Sequence, residues 1–185
     1  MRPRRSGSIG LNWRVVGARA WPEYLASINK TIASGITPTD TLTTPSGSYP
    51  SGSLPFSGGV LLPDGRVFCV PYNSTTARIY NPATDTVTTP SGTYPGAGRI
   101  YGGVLLNDGR VFCVPRSSTT ALIYNPATDT LITPGGTYPT GTGSDAFAGG
   151  VLLPDGRVFC VPCTNLTARI YDPATDTVTT PSGVY

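Results

Sequence analysis

Four kinds of residue in the sequence have types and spacings that bear on chemistry, and each one narrows the choice. Cys160-Val161-Pro162-Cys163 has the spacing of a redox dithiol. Cys69 and Cys113, however, stand at the same place in two earlier copies of the same phrase, with no partner three residues on. That cysteine therefore belongs to a strand core, and Cys163 merely takes the place of Tyr72 and Arg116. A zinc site is expected even less, because the chain has no histidine and no second C-x-x-C. The missing histidine also removes the Ser-His-Asp and Cys-His arrangements of nucleophilic catalysis. Aspartates recur in turns, where a short carboxylate caps local backbone groups: Asp64, Asp108 and Asp155, and again Asp85, Asp129 and Asp176. Asp145, in the longest loop, has no counterpart acid in the other copies, and a paired-carboxylate glycosidase would need a second such group facing it. The sequons at Asn29, Asn73 and Asn165 carry weight only in an exported chain. The expectation is a non-enzymatic protein with no catalytic residues, no metal site and no cofactor.

The elements that hold these residues come as repeats, which take precedence over other readings of fold. Gly58-Gly59-Val60-Leu61-Leu62-Pro63-Asp64-Gly65-Arg66-Val67-Phe68-Cys69-Val70-Pro71 returns at Gly102–Pro115 and Gly149–Pro162. A second phrase, Ala77–Pro90, returns at Ala121–Pro134 and Ala168–Pro181. In the first phrase two β-prone runs flank Pro63-Asp64-Gly65, which is tight-turn chemistry. In the second, Ala-Arg-Ile-Tyr and Thr-Val-Thr-Thr flank Asn-Pro-Ala-Thr-Asp. Each pair of phrases predicts a four-stranded antiparallel meander. Its first two strands, apolar on both faces, suit burial between sheets, and its Thr-rich last strand suits an exposed edge.

A four-stranded unit of this length has the size of a propeller blade. Leu-Pro-Asp-Gly-Arg-Val-Phe followed by Ile-Tyr-Asn-Pro-Ala-Thr-Asp-Thr resembles the kelch repeat, including the blades of galactose-oxidase-type proteins, over roughly residues 40–185. Kelch blades usually carry Gly-Gly after the second strand. Here Val-Pro stands there, and the Gly-Gly is expected before the first strand instead. The copper site that galactose-oxidase relatives build partly from histidine has no counterpart in a chain without histidine, and no sialidase-type Asp box is present. Thr39–Gly47 matches the end of a repeat without its beginning. The expected fold is thus all-β: three full blades plus one orphan strand, an incomplete propeller closed or stacked by oligomerisation. Symmetric assembly is the usual solution for such a chain.

Residues 1–39 read differently. They hold six basic side chains and one acid, whereas residues 40–185 hold seven Arg and nine Asp. Residues 1–11 read as a mobile basic start, or as an arm for nucleic acid or an acidic surface. Trp13 and Trp21 lie outside the repeats. Pro22 and Gly35 bracket a short amphipathic helix with Leu25, Ile28 and Ile32 on one face. Two readings stand: the helix packs on the chain's own repeats, or it docks the repeats onto a larger assembly. No apolar run follows the basic start as a signal peptide requires, and no stretch is long enough to span a membrane.

Length varies among the repeats in one loop only, with 7, 6 and 9 residues at Ser51–Ser57, Gly96–Tyr101 and Thr140–Ala148. Its last part, at Phe56, Ile100 and Phe147, is expected to enter the core. A shorter variable patch follows the second strand. Loops on a rigid β scaffold are where recognition usually sits, although drift among copies explains the variation equally well. The candidate recognition residues are Leu54, Arg99 and Asp145 in the long loop, and Tyr72, Arg116 and Asn165 in the short one; Trp13, Trp21, Leu25, Ile28 and Ile32 are the candidate docking residues.

In its general style the chain resembles tail-fibre and other appendage proteins of bacteriophages, where a short N-terminal segment anchors and a repetitive β region projects. That resemblance implies a virion-associated structural protein, made in a host cytoplasm, forming a homo-oligomer. It would touch other virion or assembly proteins through residues 1–39, and a glycan or cell-surface receptor through its loops. The alternative is a cytoplasmic kelch-type protein-interaction module or a fragment of a longer propeller.

Overall fold

In the computed structural model the described residues are 43–140, 145–164 and 167–182. The expected helix and its candidate docking residues Trp13, Trp21, Leu25, Ile28 and Ile32 lie outside them, as does Asn165. By its contacts the chain divides at Thr43–Thr44, and residues 44–185 form one compact unit.

The described residues of that unit form twelve strands in three meanders. The first sheet is β1 (Phe56–Leu61), β2 (Val67–Pro71), β3 (Arg78–Asn81) and β4 (Thr86–Thr88). The second is β5 (Ile100–Leu105), β6 (Val111–Pro115), β7 (Leu122–Asn125) and β8 (Thr130–Ile132). The third is β9 (Phe147–Leu152), β10 (Val158–Pro162), β11 (Arg169–Asp172) and β12 (Thr177–Thr179). Within each sheet the strands neighbour one another in sequence order, and every pair is antiparallel. The Asp-Gly turn that joins β1 to β2 has Gly65 at φ +84°, the conformation that asks for glycine. The turn joining β3 to β4 places Asp85 at φ +50°, and its two repeats place Asp129 and Asp176 likewise. Aspartate tolerates that region better than most side chains.

The core lies between sheets. Phe68 of β2 stacks on Tyr124 of β7 with ring centroids 4.8 Å apart. One repeat later Phe112 stacks on Tyr171 at 4.9 Å. Val60, Leu62, Val70 and Ile79 face Val111 and Cys113 in the first interface, and Val104, Leu106, Val114 and Ile123 face Val158 and Cys160 in the second. Full burial of one such aromatic stabilises by about 1.5–3 kcal/mol, so these layers outweigh any surface contact.

The glycine pair was expected ahead of the first strand; it lies within it. Gly58-Gly59, Gly102-Gly103 and Gly149-Gly150 fall inside β1, β5 and β9. The reason is close approach. These strands run side by side in neighbouring sheets, and a Cβ on Gly103 would come within 2.9 Å of Val60 and 3.0 Å of Val70. The first pairs of strands also shift register between Phe56 and Gly59, and again between Ile100 and Gly103.

The orphan fourth strand falls mostly on residues outside the described set. Its described remainder, from Thr43, forms no strand. The segment that follows it still behaves as its two repeats do. Each crosses to the outer edge of the next sheet and is clamped there by the turn aspartate. Asp85 accepts from the Ser46 backbone N–H at 2.9 Å, Asp129 from that of Ser91 at 2.9 Å, and Asp176 from that of Gly135 at 2.9 Å. The same carboxylates accept from Tyr80, Tyr124 and Tyr171 hydroxyls. The expected core entry of the long loop also takes shape: Phe147 and Ile100 are buried, and Phe56 is half-buried.

Hydrogen bonds from Ser46 hold the Asp85 carboxyl below the usual carboxylate range, and those from Ser91 do the same for Asp129. A carboxylate whose folded pKa is depressed contributes stability above its unfolded value and loses it as pH falls through the folded one. The repeats are therefore expected to hold their melting temperature through neutral pH and to lose it progressively below about pH 4. The double variant Asp85→Asn, Asp129→Asn should flatten that acid limb; an unchanged limb would dissociate the clamps from stability.

Candidate functional site

A meander has two ends, and they differ here. Antiparallel order puts the β1–β2 and β3–β4 turns at one end and the β2–β3 loops and inter-sheet loops at the other. The turn end holds two clefts lined with carboxylates but little free chemistry. A cleft of about 260 Å³ is lined there by Leu106, Asn107, Asp108, Asp155, Asp172 and Pro173. Each carboxylate in it is committed: Asp108 to Arg110 at 2.6 Å, Asp155 to Arg157 at 2.6 Å, and Asp172 to the Ala174 backbone N–H at 2.9 Å. The equivalent cleft one sheet earlier is lined by Pro63, Asp64, Asp108 and Asn125. A feature that repeats with the repeat is part of the scaffold.

The loop end holds an arrangement that occurs once among the described residues. Tyr72, Arg116 and Cys163 occupy one repeat position, just past the Val-Pro that ends the second strand of each sheet. Their backbones are fixed alike, with N–H groups donating to the carbonyls of Pro55, Arg99 and Ala146 at 2.8–2.9 Å. The side chains then diverge. Arg116 forms an ion pair with Asp145 at 2.6 Å and donates a hydrogen bond to the Tyr72 hydroxyl. Its guanidinium lies 5.2 Å from the Tyr72 ring centroid and 5.9 Å from that of Tyr101. The two tyrosine rings meet edge to face at 5.9 Å. Beside them Leu54, Phe56, Ser57, Tyr72 and Tyr101 line an open cleft of about 270 Å³.

Four of the six candidate recognition residues, Leu54, Tyr72, Arg116 and Asp145, thus come together from all three sheets. Leu54 is 65% exposed at φ +50°, an apolar side chain held in water on a strained backbone. Arg99 stands apart: its carbonyl supports Arg116, while its residue lines a separate cleft with Tyr94, Pro95 and Ser118. Tyr101 was missed. Its signal was available in the repeat alignment, where Ser57 and Ala148 hold the matching places. The cluster can offer an aromatic platform, a charged planar donor and an apolar wall, the usual makings of a small-ligand site.

The cysteines fit the strand-core expectation. Burial pushes the Cys113 and Cys160 thiols up to about 12, which disfavours the thiolate that redox exchange needs. Cys163 is exposed and free. Among the described residues no group of acids and cysteines is arranged to hold a metal ion, and no helix there is long and apolar enough to cross a membrane.

Comparison with protein families finds no match, and comparison with curated proteins finds none either. Solved structures do match. The chain is similar to virginiamycin B lyase from Staphylococcus aureus, at 13% identity and TM-score 0.55 over 68% of this chain and 40% of that one. It is similar to a streptogramin B lyase at 14% identity and TM-score 0.53, again over 68% and 40%. A third likeness is to an auxiliary nutrient binding protein from Bacteroides ovatus, at 15% identity and TM-score 0.53 over 70% of this chain and 32% of that one. At these identities the likeness shows the fold, which is β-propeller-like, and the chain spans about 40% of the length of the lyases it matches. It also corrects one expectation. A non-enzymatic role was inferred from missing histidine and missing carboxylate pairs, yet two of these neighbours are enzymes. The architecture therefore carries catalysis in other chains, and the residue inventory alone was too narrow a ground for excluding it.

Gly98 sits against the cluster at φ +68°, and a Cβ there would meet the Arg116 Nη1 and the Tyr72 hydroxyl at 3.1 Å. Gly98→Ala is expected to destabilise the protein by about 1–2 kcal/mol through its positive φ. It should also displace Arg116 from Tyr72. Near-ultraviolet circular dichroism of the tyrosines checks the displacement; an unchanged spectrum would place the pair elsewhere in solution.

Proposed function

We propose that this chain is a virion-associated recognition protein of the tail-fibre or appendage kind. Residues 1–39 anchor it to other virion proteins, its kelch-like blades project, and the loop end contacts a glycan or receptor on the host surface. The observation that carries the reading is the single convergence of Leu54, Tyr72, Tyr101, Arg116 and Asp145 on an otherwise repetitive scaffold. Repeats supply a rigid platform and unrepeated loop residues supply recognition. The sequence resemblance to phage appendages supplies the setting. The test is the protein content of purified particles, followed by retention of the purified chain on host cells. Mass spectrometry should find the chain in the particles, and Tyr101→Ala should lower cell retention about tenfold, as removal of a central aromatic contact does. Particles without the chain would sink the virion reading.

The same reading includes self-association. Leu61 is 64% exposed, and its repeat partner Leu105 is packed in the first inter-sheet core. Val151 is 55% exposed, and its partner Val60 is 7% exposed. Apolar faces that are covered elsewhere in the same chain ask for the same cover from a second copy. Light scattering is expected to give a defined oligomer, and Leu61→Asp with Val151→Asp to give a smaller species. A wild-type monomer would favour the second reading, a kelch-type protein-interaction module or part of a longer propeller, whose partner blade covers those faces.

A further inference from the structure

The two ends of the sheets carry opposite charge. Among the described residues the loop end holds Arg78, Arg99, Arg116 and Arg169 against a single acid, Asp145. The turn end holds Arg66, Arg110 and Arg157, each paired with the aspartate two residues before it, and four further aspartates: Asp85, Asp129, Asp172 and Asp176. A ligand that approaches this protein along the sheets therefore meets a cationic end and an anionic one. The aromatic cleft is at the cationic end.

From this polarity and the geometry of the cleft, we infer that the Tyr72–Tyr101–Arg116 cluster binds an acidic saccharide, a sugar ring that bears a carboxylate. The inference rests on the recognition reading above and names its ligand class. Tyr101 is 42% exposed and lines the cleft, so the part of its ring that Arg116 and Tyr72 leave uncovered offers a surface for the C–H face of a pyranose. Arg116 lies against both tyrosines at the side of that cleft, held in place by the Tyr72 hydroxyl and by Asp145. A guanidinium fork matches a carboxylate in two parallel hydrogen bonds, which a sugar hydroxyl cannot reproduce. Asp145 already occupies one edge of that fork from a neighbouring loop, at 33% side-chain exposure. It is the internal stand-in for the ligand's own carboxylate: it keeps Arg116 oriented in the free protein and competes for it in the bound one. Leu54, exposed across the cleft, closes the apolar side.

The competition supplies a test with a sign. Full-length protein is titrated with a tetramer of galacturonic acid, an uncharged glucose tetramer and a short polyphosphate, in low salt and in 0.5 M NaCl. The galacturonate tetramer is expected to bind about tenfold tighter than the glucose tetramer at low salt, with the margin shrinking at high salt. Asp145→Asn should strengthen galacturonate binding about threefold, since it frees the fork without adding a contact. Arg116→Ala should remove the preference for galacturonate, and Tyr101→Ala should weaken both sugars. Melting curves confirm that each variant is folded. Equal binding of charged and uncharged sugars overturns the inference, as does weaker galacturonate binding in Asp145→Asn or binding of none of the three probes. Polyphosphate binding as tightly as galacturonate overturns the saccharide assignment in favour of a bare anion site. The recognition reading fails separately, when the chain is missing from the particles.

Discussion

The described residues from Thr44 onward depend on sheets packing face to face, with one stacked aromatic pair per interface. Phe68 stacks on Tyr124 and Phe112 on Tyr171 across the two interfaces, and each ring is essentially inaccessible to water. A single four-stranded sheet with short outer strands has too little area to bury alone. Stacked, the sheets turn their inner faces into two continuous cores. The tyrosine in each pair also reaches outward, and its hydroxyl donates to Asp129 or Asp176 at the rim. One residue thereby links the apolar layer to the polar clamp that seats the incoming chain. Burial first, and then that carboxylate, raises the pKa of Tyr124 well above the ordinary phenol range.

The glycines follow from the same constraint. To bring Phe68 within stacking distance of Tyr124, the inner strands of neighbouring sheets must approach until no side chain fits between them. Gly103 and Gly150 mark that approach, each with valines of the adjoining sheet about where a Cβ would stand. On the outer side, Gly92 lies against Leu131 and Gly136 against Val178 for the same reason. Close approach at both margins leaves the sheets little freedom to slide, so the loops between them are presented in fixed register. Residues from three separate sheets can then meet at one point, as Tyr72, Arg116 and Asp145 do.

The repeat made most of this legible. The turn at Pro63-Asp64-Gly65, the turn at Asn81–Asp85 and the Val-Pro stop after each second strand all read from local chemistry, because tight turns admit few residue types. The place of Gly58-Gly59 did not read correctly. Glycine pairs look like strand boundaries when only local propensity is considered, and here their cause is a neighbouring sheet. Leu54, Tyr72, Arg116 and Asp145 were legible as departures from the repeat, yet their meeting was not, since each belongs to a different loop and the Arg116 contacts with Asp145 and Tyr72 cross 29 and 44 residues. Tyr101 escaped because the end of its loop reads as core from Ile100 beside it, and strand alternation turns the next side chain outward instead.

The charge polarity follows from the same turn chemistry. Aspartate takes the positive-φ place of one turn and caps the backbone of the other, and both such turns of every repeat fall at one end. Acid at that end is a by-product of folding, and three of its seven carboxylates are already neutralised by Arg66, Arg110 and Arg157. The loop end has no such obligation. Arg78 and Arg169 recur there as part of the repeat, donating to Thr76 and Thr167. Arg99 and Arg116 do not recur, and no turn geometry calls for them. Where folding explains the charge, no ligand need be invoked; where it does not, and aromatic rings surround it, binding is the more economical account. Arg116 meets that condition, which is why the functional weight of the molecule falls at the end with the fewest charges.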